Sequence, residues 1–245
     1  MQAARLAVMS EHVSASVDVV TSEPSASQLR GPQYMQQQAN VRLRALTLGG
    51  MDLEWYCLND IVMGGRSSSC LKRTESGSLH FSGTIDTNGG GFASCRTAPL
   101  PIRVPSEAKG FRLKFSGLPT HAFKFTLSAG ARIEGKVGCD NDTRGFVQRW
   151  EAMDAEQRQQ TLERVTWQCE LPIGEGDAPQ EAYLPFAEFK PSLFGQKLTG
   201  LALSHEIVNH IGMNAGIFDM AGQHDSRYSG GPFELQFFSV AFASE

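Results

Sequence analysis

The sequence lacks any apolar run approaching the roughly 18 residues of a membrane-spanning helix. Its five cysteines, Cys57, Cys70, Cys95, Cys139 and Cys169, contain no CxxC pair and are odd in number. That argues against a secreted disulfide scaffold and against a structural zinc site. They read as small hydrophobes in a reducing compartment, with a single regulatory thiol as the alternative. An excess of basic charge is also missing: 22 Lys and Arg stand against 26 Asp and Glu, for a net charge of -4. A generally basic nucleic-acid binder is thereby excluded, because phosphate contacts need clustered Lys and Arg. Charged residues make up only 20% and hydrophobic residues 41%, too apolar a balance for wholesale disorder. Three Trp and four Tyr are few beside 15 Phe, while glycine is plentiful at 25. Many turns and many Phe point to an all-β domain.

Residues 1–46 read as a disordered tail or targeting segment. They are rich in Ser, Gln, Ala and Val, with Tyr34 their one aromatic and no sustained period. Arg5, Arg30, Arg42 and Arg44 suit a transit peptide, but Glu11, Asp18 and Glu23 do not. No apolar core of a secretory signal follows Met1. The domain is expected over 47–245. There, period-2 alternation recurs: Leu79, Phe81, Ile85; Phe111, Leu113, Phe115; Phe123, Phe125, Leu127; Ala131, Ile133, Val137; Val165, Trp167, Cys169, Leu171. Each set predicts a strand with one buried and one wet face, together an antiparallel β-sandwich. The last strand changes phase between Phe233, Leu235, Phe237 and Phe238, Val240, Phe242, which predicts a bulge near Phe237 or burial on both faces. Residues 151–164 predict one surface helix, capped by Asp154 with Gln157 three residues on. Residues 172–180 read as a Pro/Gly/acid loop.

Motifs for chemistry fail in turn. His205 and His210 are five apart, whereas a zincin helix needs i and i+4; a strand end and loop fits better. Asp140, Asn141 and Asp142 lack the offsets of an EF-hand and read as a polar turn, with a structural calcium as the minor option. Met63-Gly64-Gly65-Arg66 and Asn88-Gly89-Gly90-Gly91-Phe92 have neither the spacing of a dinucleotide loop nor the ending of a P-loop. These glycines predict bends and close backbone approach. No GxSxG elbow and no catalytic constellation is found, so no enzymatic activity, metal or cofactor is expected. Trp167, in phase with Val165 and Cys169, reads as core, as does Trp55; Trp150 is placed just before the polar helix and exposed.

Trp55, then Asn59-Asp60-Ile61-Val62-Met63-Gly64-Gly65-Arg66-Ser67, Phe81-x-Gly83, and Asn88 through Ser94 form a long pattern. It resembles the family of the thirty-kilodalton complex I intermediate-associated protein. Leu184-Pro185-Phe186, Phe189, Pro191, Gly195, Ile211-Gly212 and Gly231-Pro232-Phe233-x-Leu235 extend the resemblance over about 50–243. The resemblance implies a galactose-binding-like, jelly-roll sandwich, similar to carbohydrate-binding modules. It further implies an assembly factor or scaffold binding subunits of mitochondrial respiratory complex I, associated with the membrane only through its partners. The alternatives are a factor or subunit for a plastid photosynthetic complex, a carbohydrate-binding module, or an enzyme of unknown type. Candidate binding residues are Asn59, Asp60, Met63, Gly64, Gly65 and Arg66 on one loop, and Asn88, Gly89, Gly90, Gly91 and Phe92 on the other. Arg158, Glu163 and Arg164 on the inserted helix are the candidate partner surface.

Overall fold

The computed structural model describes residues 42–176 and 178–244. Thirteen strands follow one another: β1 (Leu43–Leu48), β2 (Met51–Cys57), β3 (Ser68–Arg73), β4 (Leu79–Ile85), β5 (Phe92–Thr97), β6 (Ile102–Arg103) and β7 (Gly110–Gly117). After β8 (Ala122–Cys139) come two helices, α1 (Phe146–Ala152) and α2 (Ala155–Glu163). The chain ends through β9 (Thr166–Glu170), β10 (Gln180–Pro185), β11 (Lys190–Leu193), β12 (Gln196–Gly216) and β13 (Gly231–Ala243). One sheet of eight strands runs β1-β2-β5-β12-β11-β9-β8, with β6 and β8 also paired to β12. The second sheet, of five strands, runs β10-β7-β13-β4-β3. The pairings described are antiparallel. This is the antiparallel sandwich that the alternating sequence predicts.

Phenylalanine fills the space between the sheets. Phe111 on β7 meets Phe125 on β8 edge to face at 5.1 Å, and Phe81 meets Phe233 at 4.9 Å. Rings packed this way contribute beyond their buried area, about 0.5–1.5 kcal/mol per pair. Trp55 and Trp167 are both buried, as their phase predicts. Trp55 also donates its ring N–H to the Ala45 carbonyl at 2.8 Å, which fastens β1 to the core. The phase change in the last strand is a bulge: the β13–β7 register shifts between Phe237 and Ser239. Phe237 and Val240 are both buried on either side of it.

Five expectations need correction. The sheet begins at Leu43, so residues 43–46 are strand and not tail; residues 1–41 lie outside the described ones. A bulge between Arg44 and Thr47, with Leu46 at φ 64, breaks the alternation that would have revealed β1. The predicted helix is two helices meeting at Met153 and Asp154. Asp154 does cap the second, in a full capping box with Gln157. The first starts earlier, at Phe146, where the Asp142 carboxylate accepts the backbone N–H of Phe146 and, at 2.9 Å, that of Val147. Trp150 is buried within that helix and stacks on Phe146 four residues back. Ile133 is exposed, because β8 and β12 run on past the sandwich as a two-stranded ribbon, Leu201 opposite Ile133. His205 and His210 both lie inside strand β12.

Candidate functional site

The two glycine loops fold around Asp60. Its carboxyl group is fully buried and accepts four hydrogen bonds. Ser67 donates from its backbone N at 2.9 Å and its hydroxyl at 2.6 Å; Gly91 and Phe92 donate backbone N–H groups at 2.8 and 3.3 Å. Asn59, also buried, accepts from the Ser69 hydroxyl at 2.7 Å and the Ser94 N–H at 3.4 Å. Residues 59–60 at the end of β2 are thus tied to the start of β3 and to β5. The glycines make room for this. A Cβ on Gly65 would lie 2.3 Å from Asp60 Cγ, and one on Gly90 only 2.1 Å from Asp60 Oδ2. Such distances cannot be accommodated against a carboxyl group held on several sides. Asn59 and Asp60 therefore hold the two loops together. Met63, Gly64, Arg66, Asn88 and Gly89 form the exposed rim, while Gly65 and Gly91 are buried beneath it.

The helical insertion is also more tightly built than its polarity suggests. Arg158 donates to the carbonyls of Trp150 at 3.3 Å and Glu151 at 3.2 Å, with its guanidinium 5.6 Å from the Trp150 ring. It satisfies open carbonyls at the end of α1, so it is a clamp between helices and not a free contact. Glu163 is exposed and accepts from Gln159 at 3.1 Å. Arg164 lies 4.9 Å over the exposed Phe194 ring. A groove of about 390 Å³ runs between the helices, lined by Arg149, Met153, Gln157 and Arg164 among others.

The outer face of the larger sheet assembles a group that no linear motif announces. Gly212 on β12 sits opposite Arg96 on β5 and Thr126 on β8. Arg96 is in turn opposite Tyr56 on β2, and Thr126 opposite Gln168 on β9. Directly paired residues share a face, so these five form one row, about 19 Å across at the usual strand spacing. Asn214 and His210 stand on β12 on either side of Gly212. The intervening residues Ile211 and Met213 point into the core. A Cβ on Gly212 would meet the Cys95 carbonyl oxygen at 2.6 Å and Thr126 Oγ1 at 2.8 Å, so the row has a low centre. The side chains of Tyr56, Arg96, Gln168, His210 and Asn214 make no hydrogen bond or ion pair with other described residues.

Two bases border the row, one buried and one half-buried. Lys124 is almost wholly covered and donates to the Asp219 carbonyl at 2.7 Å; burial pulls its ammonium down to about 8. Burial, and then Arg96, lower His210 to about 4, so it is a neutral ring at pH 7. The unfolded chain binds a proton at His210 from about pH 6.5 downward while the folded chain refuses it until about pH 4. Stability therefore rises with pH across that window and is lost as pH falls through it, by up to about 3 kcal/mol. His121 and His205 are shifted in the same direction. Denaturant titrations from pH 7 to 4 should show this loss, and His210→Gln should flatten the slope. An unchanged slope in the variant would move the effect elsewhere.

The architecture is that of a jelly-roll β-sandwich with a polar sheet face and a stapled glycine loop. The family model described as Complex I intermediate-associated protein 30 (CIA30) matches residues 49–237, and the chain belongs to that family. No curated protein matches the sequence. Among solved structures, the chain is similar to the family 11 carbohydrate-binding module of the cellulosomal cellulase Lic26A-Cel5E of Clostridium thermocellum. That match has 11% identity and a TM-score of 0.42, over 78% of this chain and 91% of the module. A family 11 module from the same organism, in complex with a β-1,3-1,4-mixed-linked tetrasaccharide, matches at 13% identity and TM-score 0.42, over 77% and 91%. TmCBM61 in complex with β-1,4-galactotriose matches at 10% and 0.29, over 77% and 88%. Similarity this distant carries no argument about ligands. Among the described residues no group of His, Cys, Asp or Glu could hold a metal ion, and no helix is long and apolar enough to cross a membrane.

Proposed function

We propose that this protein is a non-enzymatic assembly factor that holds subunits of mitochondrial respiratory complex I. The observation that supports it is the family match over 49–237, which spans both glycine loops and the polar face. The polar row on the larger sheet is the favoured docking surface. Arg96 offers a forked guanidinium without a carboxylate partner among the described residues, the geometry that takes a carboxylate in two parallel hydrogen bonds. Neutral His210, Asn214 and Gln168 beside it accept and donate to polar backbone. The partner segment is accordingly an acidic, extended one. Met63, Arg66, Asn88, Glu163 and Arg164 are proposed as outer contacts of the same assembly, and the protein meets the membrane through its partners.

Tagged protein recovered from organelles should bring down complex I subunits, identified by mass spectrometry. Arg96→Ala should fold normally, since the half-buried side chain makes no hydrogen bond or ion pair with other described residues, and should recover several-fold less of them. Photosynthetic subunits in the eluate would replace the mitochondrial assignment with a plastid one. Neither set would sink both. A second reading, saccharide binding, is favoured by the uncharged hydrogen-bonding side chains of the same row, Thr126 and Gln168, with the Tyr56 ring at its end. Calorimetric titration with mixed-linked glucan oligosaccharides and galactotriose tests it; millimolar or tighter binding lost in Tyr56→Ala would support it, and no heat with either sugar would dismiss it.

A further inference from the structure

Two cysteines face each other across neighbouring strands. β2 and β5 are antiparallel, with Trp55 opposite Thr97, Tyr56 opposite Arg96 and Cys57 opposite Cys95. Leu58 N donates to the Ser94 carbonyl at 2.7 Å, and Ala98 N to the Glu54 carbonyl at 2.7 Å. Hydrogen-bonded and non-hydrogen-bonded pairs alternate along an antiparallel ladder. With Leu58/Ser94 and Glu54/Ala98 hydrogen-bonded, Cys57/Cys95 falls on a non-hydrogen-bonded site. There the Cα atoms approach to about 4.5 Å and the side chains are closest, inside the ~4.4–6.8 Å range a disulfide spans. Both thiols lie on the inner face, in phase with buried Trp55, Ala93 and Thr97. Both are free, Cys95 buried and Cys57 partly open to solvent.

We propose that Cys57 and Cys95 form a reversible intramolecular disulfide that fastens together the two strands bearing the Asp60 cage. β2 leads directly into Asn59 and Asp60. β5 begins at Phe92, whose N–H and that of Gly91 bind the Asp60 carboxyl. The bond would lock the two halves of the cage covalently, and with them the exposed rim at Met63, Arg66 and Asn88. The inference stands on strand register and does not depend on the partner assigned above.

A small disulfide such as oxidised glutathione supplies the oxidant. Cys57, the accessible thiol, loses its proton to solvent and attacks one glutathione sulfur. A mixed disulfide forms and one glutathione thiolate leaves. Cys95 then loses its proton, attacks Cys57 Sγ and expels the second glutathione. Two protein thiols are oxidised and one glutathione disulfide is reduced to two thiols. Burial pushes the Cys57 thiol up to about 11 and raises Cys95 further, so the exchange is slow and the pair stays reduced in brief exposures. Cys70 on β3 is exposed and is the competing target.

The test equilibrates the full chain for days in glutathione buffers of graded ratio, then alkylates, digests without reduction and maps the peptides. A peptide pair joined through Cys57 and Cys95 should appear as the buffer becomes oxidising. The melting temperature should rise by about 5–10 °C, because the bond closes the 57–95 loop in the unfolded chain. Dithiothreitol should reverse both. In Cys95→Ser, Cys57 should carry a glutathione adduct and no protein disulfide; should that variant not fold, the wild-type map decides alone. Glutathione on Cys57 or Cys70 with no Cys57–Cys95 peptide at the most oxidising ratio, or a Cys57–Cys70 bond in its place, would overturn the proposal.

Discussion

Replacing Asp60 by alanine is expected to lower the melting temperature by about 10–20 °C. The carboxyl group accepts three backbone N–H groups and one hydroxyl, and nothing about it is exposed. Truncation leaves those N–H groups buried without an acceptor, at about 1–3 kcal/mol each. It also opens a void where Gly65 and Gly90 close in. The serine hydroxyl can rotate towards the Asp86 carbonyl, 3.3 Å away, so the loss is set by the three amides, roughly 3–9 kcal/mol in total. In a domain of this size each kcal/mol moves the midpoint by about 2–4 °C. Asp60→Asn keeps one acceptor oxygen but turns an NH₂ towards donors, and should fall between alanine and wild type. Calorimetry decides the matter: an alanine variant melting within about 2 °C of wild type would mean the cage does not hold the loops.

Trp150→Ala should have the second largest effect, and a local one. The indole is buried, stacks on Phe146 and has the Arg158 guanidinium 5.6 Å from its ring centre. Trp-to-Ala changes in packed sites cost about 3–5 kcal/mol. Here the cost falls on an insertion whose second helix buries only Leu162 among its own residues. The two helices should lose their hydrogen-exchange protection while β7 and β13, in the Phe-rich core, keep theirs. Arg158→Ala should show the same pattern more weakly. Helices that remain protected in Trp150→Ala would show that the insertion is held by something other than this stack.

The sequence revealed what has a simple period. Val165, Trp167, Cys169 and Leu171 alternate without interruption and are buried as predicted. The phase change at Phe237 is visible because large residues stand on both sides of it. The bulge in β1 hides it from any periodic pattern, and the exposure of Ile133 is illegible because alternation says nothing about whether a second sheet faces the strand. For α1, one Phe146/Trp150 pair is too short a helical period to stand out beside a strongly polar neighbour. The glycine loops were conspicuous, but their role was not. That Asp60 lies within them as an internal acceptor depends on residues 31 and 32 positions away. The polar row was illegible for a related reason. Arg96, His210 and Gln168 are ordinary outward residues until the strand order sets them side by side.

The central claim, that this protein serves the assembly of respiratory complex I, is tested most directly by depleting it. Native gel electrophoresis of organelle membranes should then show less mature complex I and an accumulated smaller intermediate. Both changes should be restored by the wild-type chain, and not by Arg96→Ala produced at equal level and folded. Unchanged amounts of mature complex I after depletion would contradict the account.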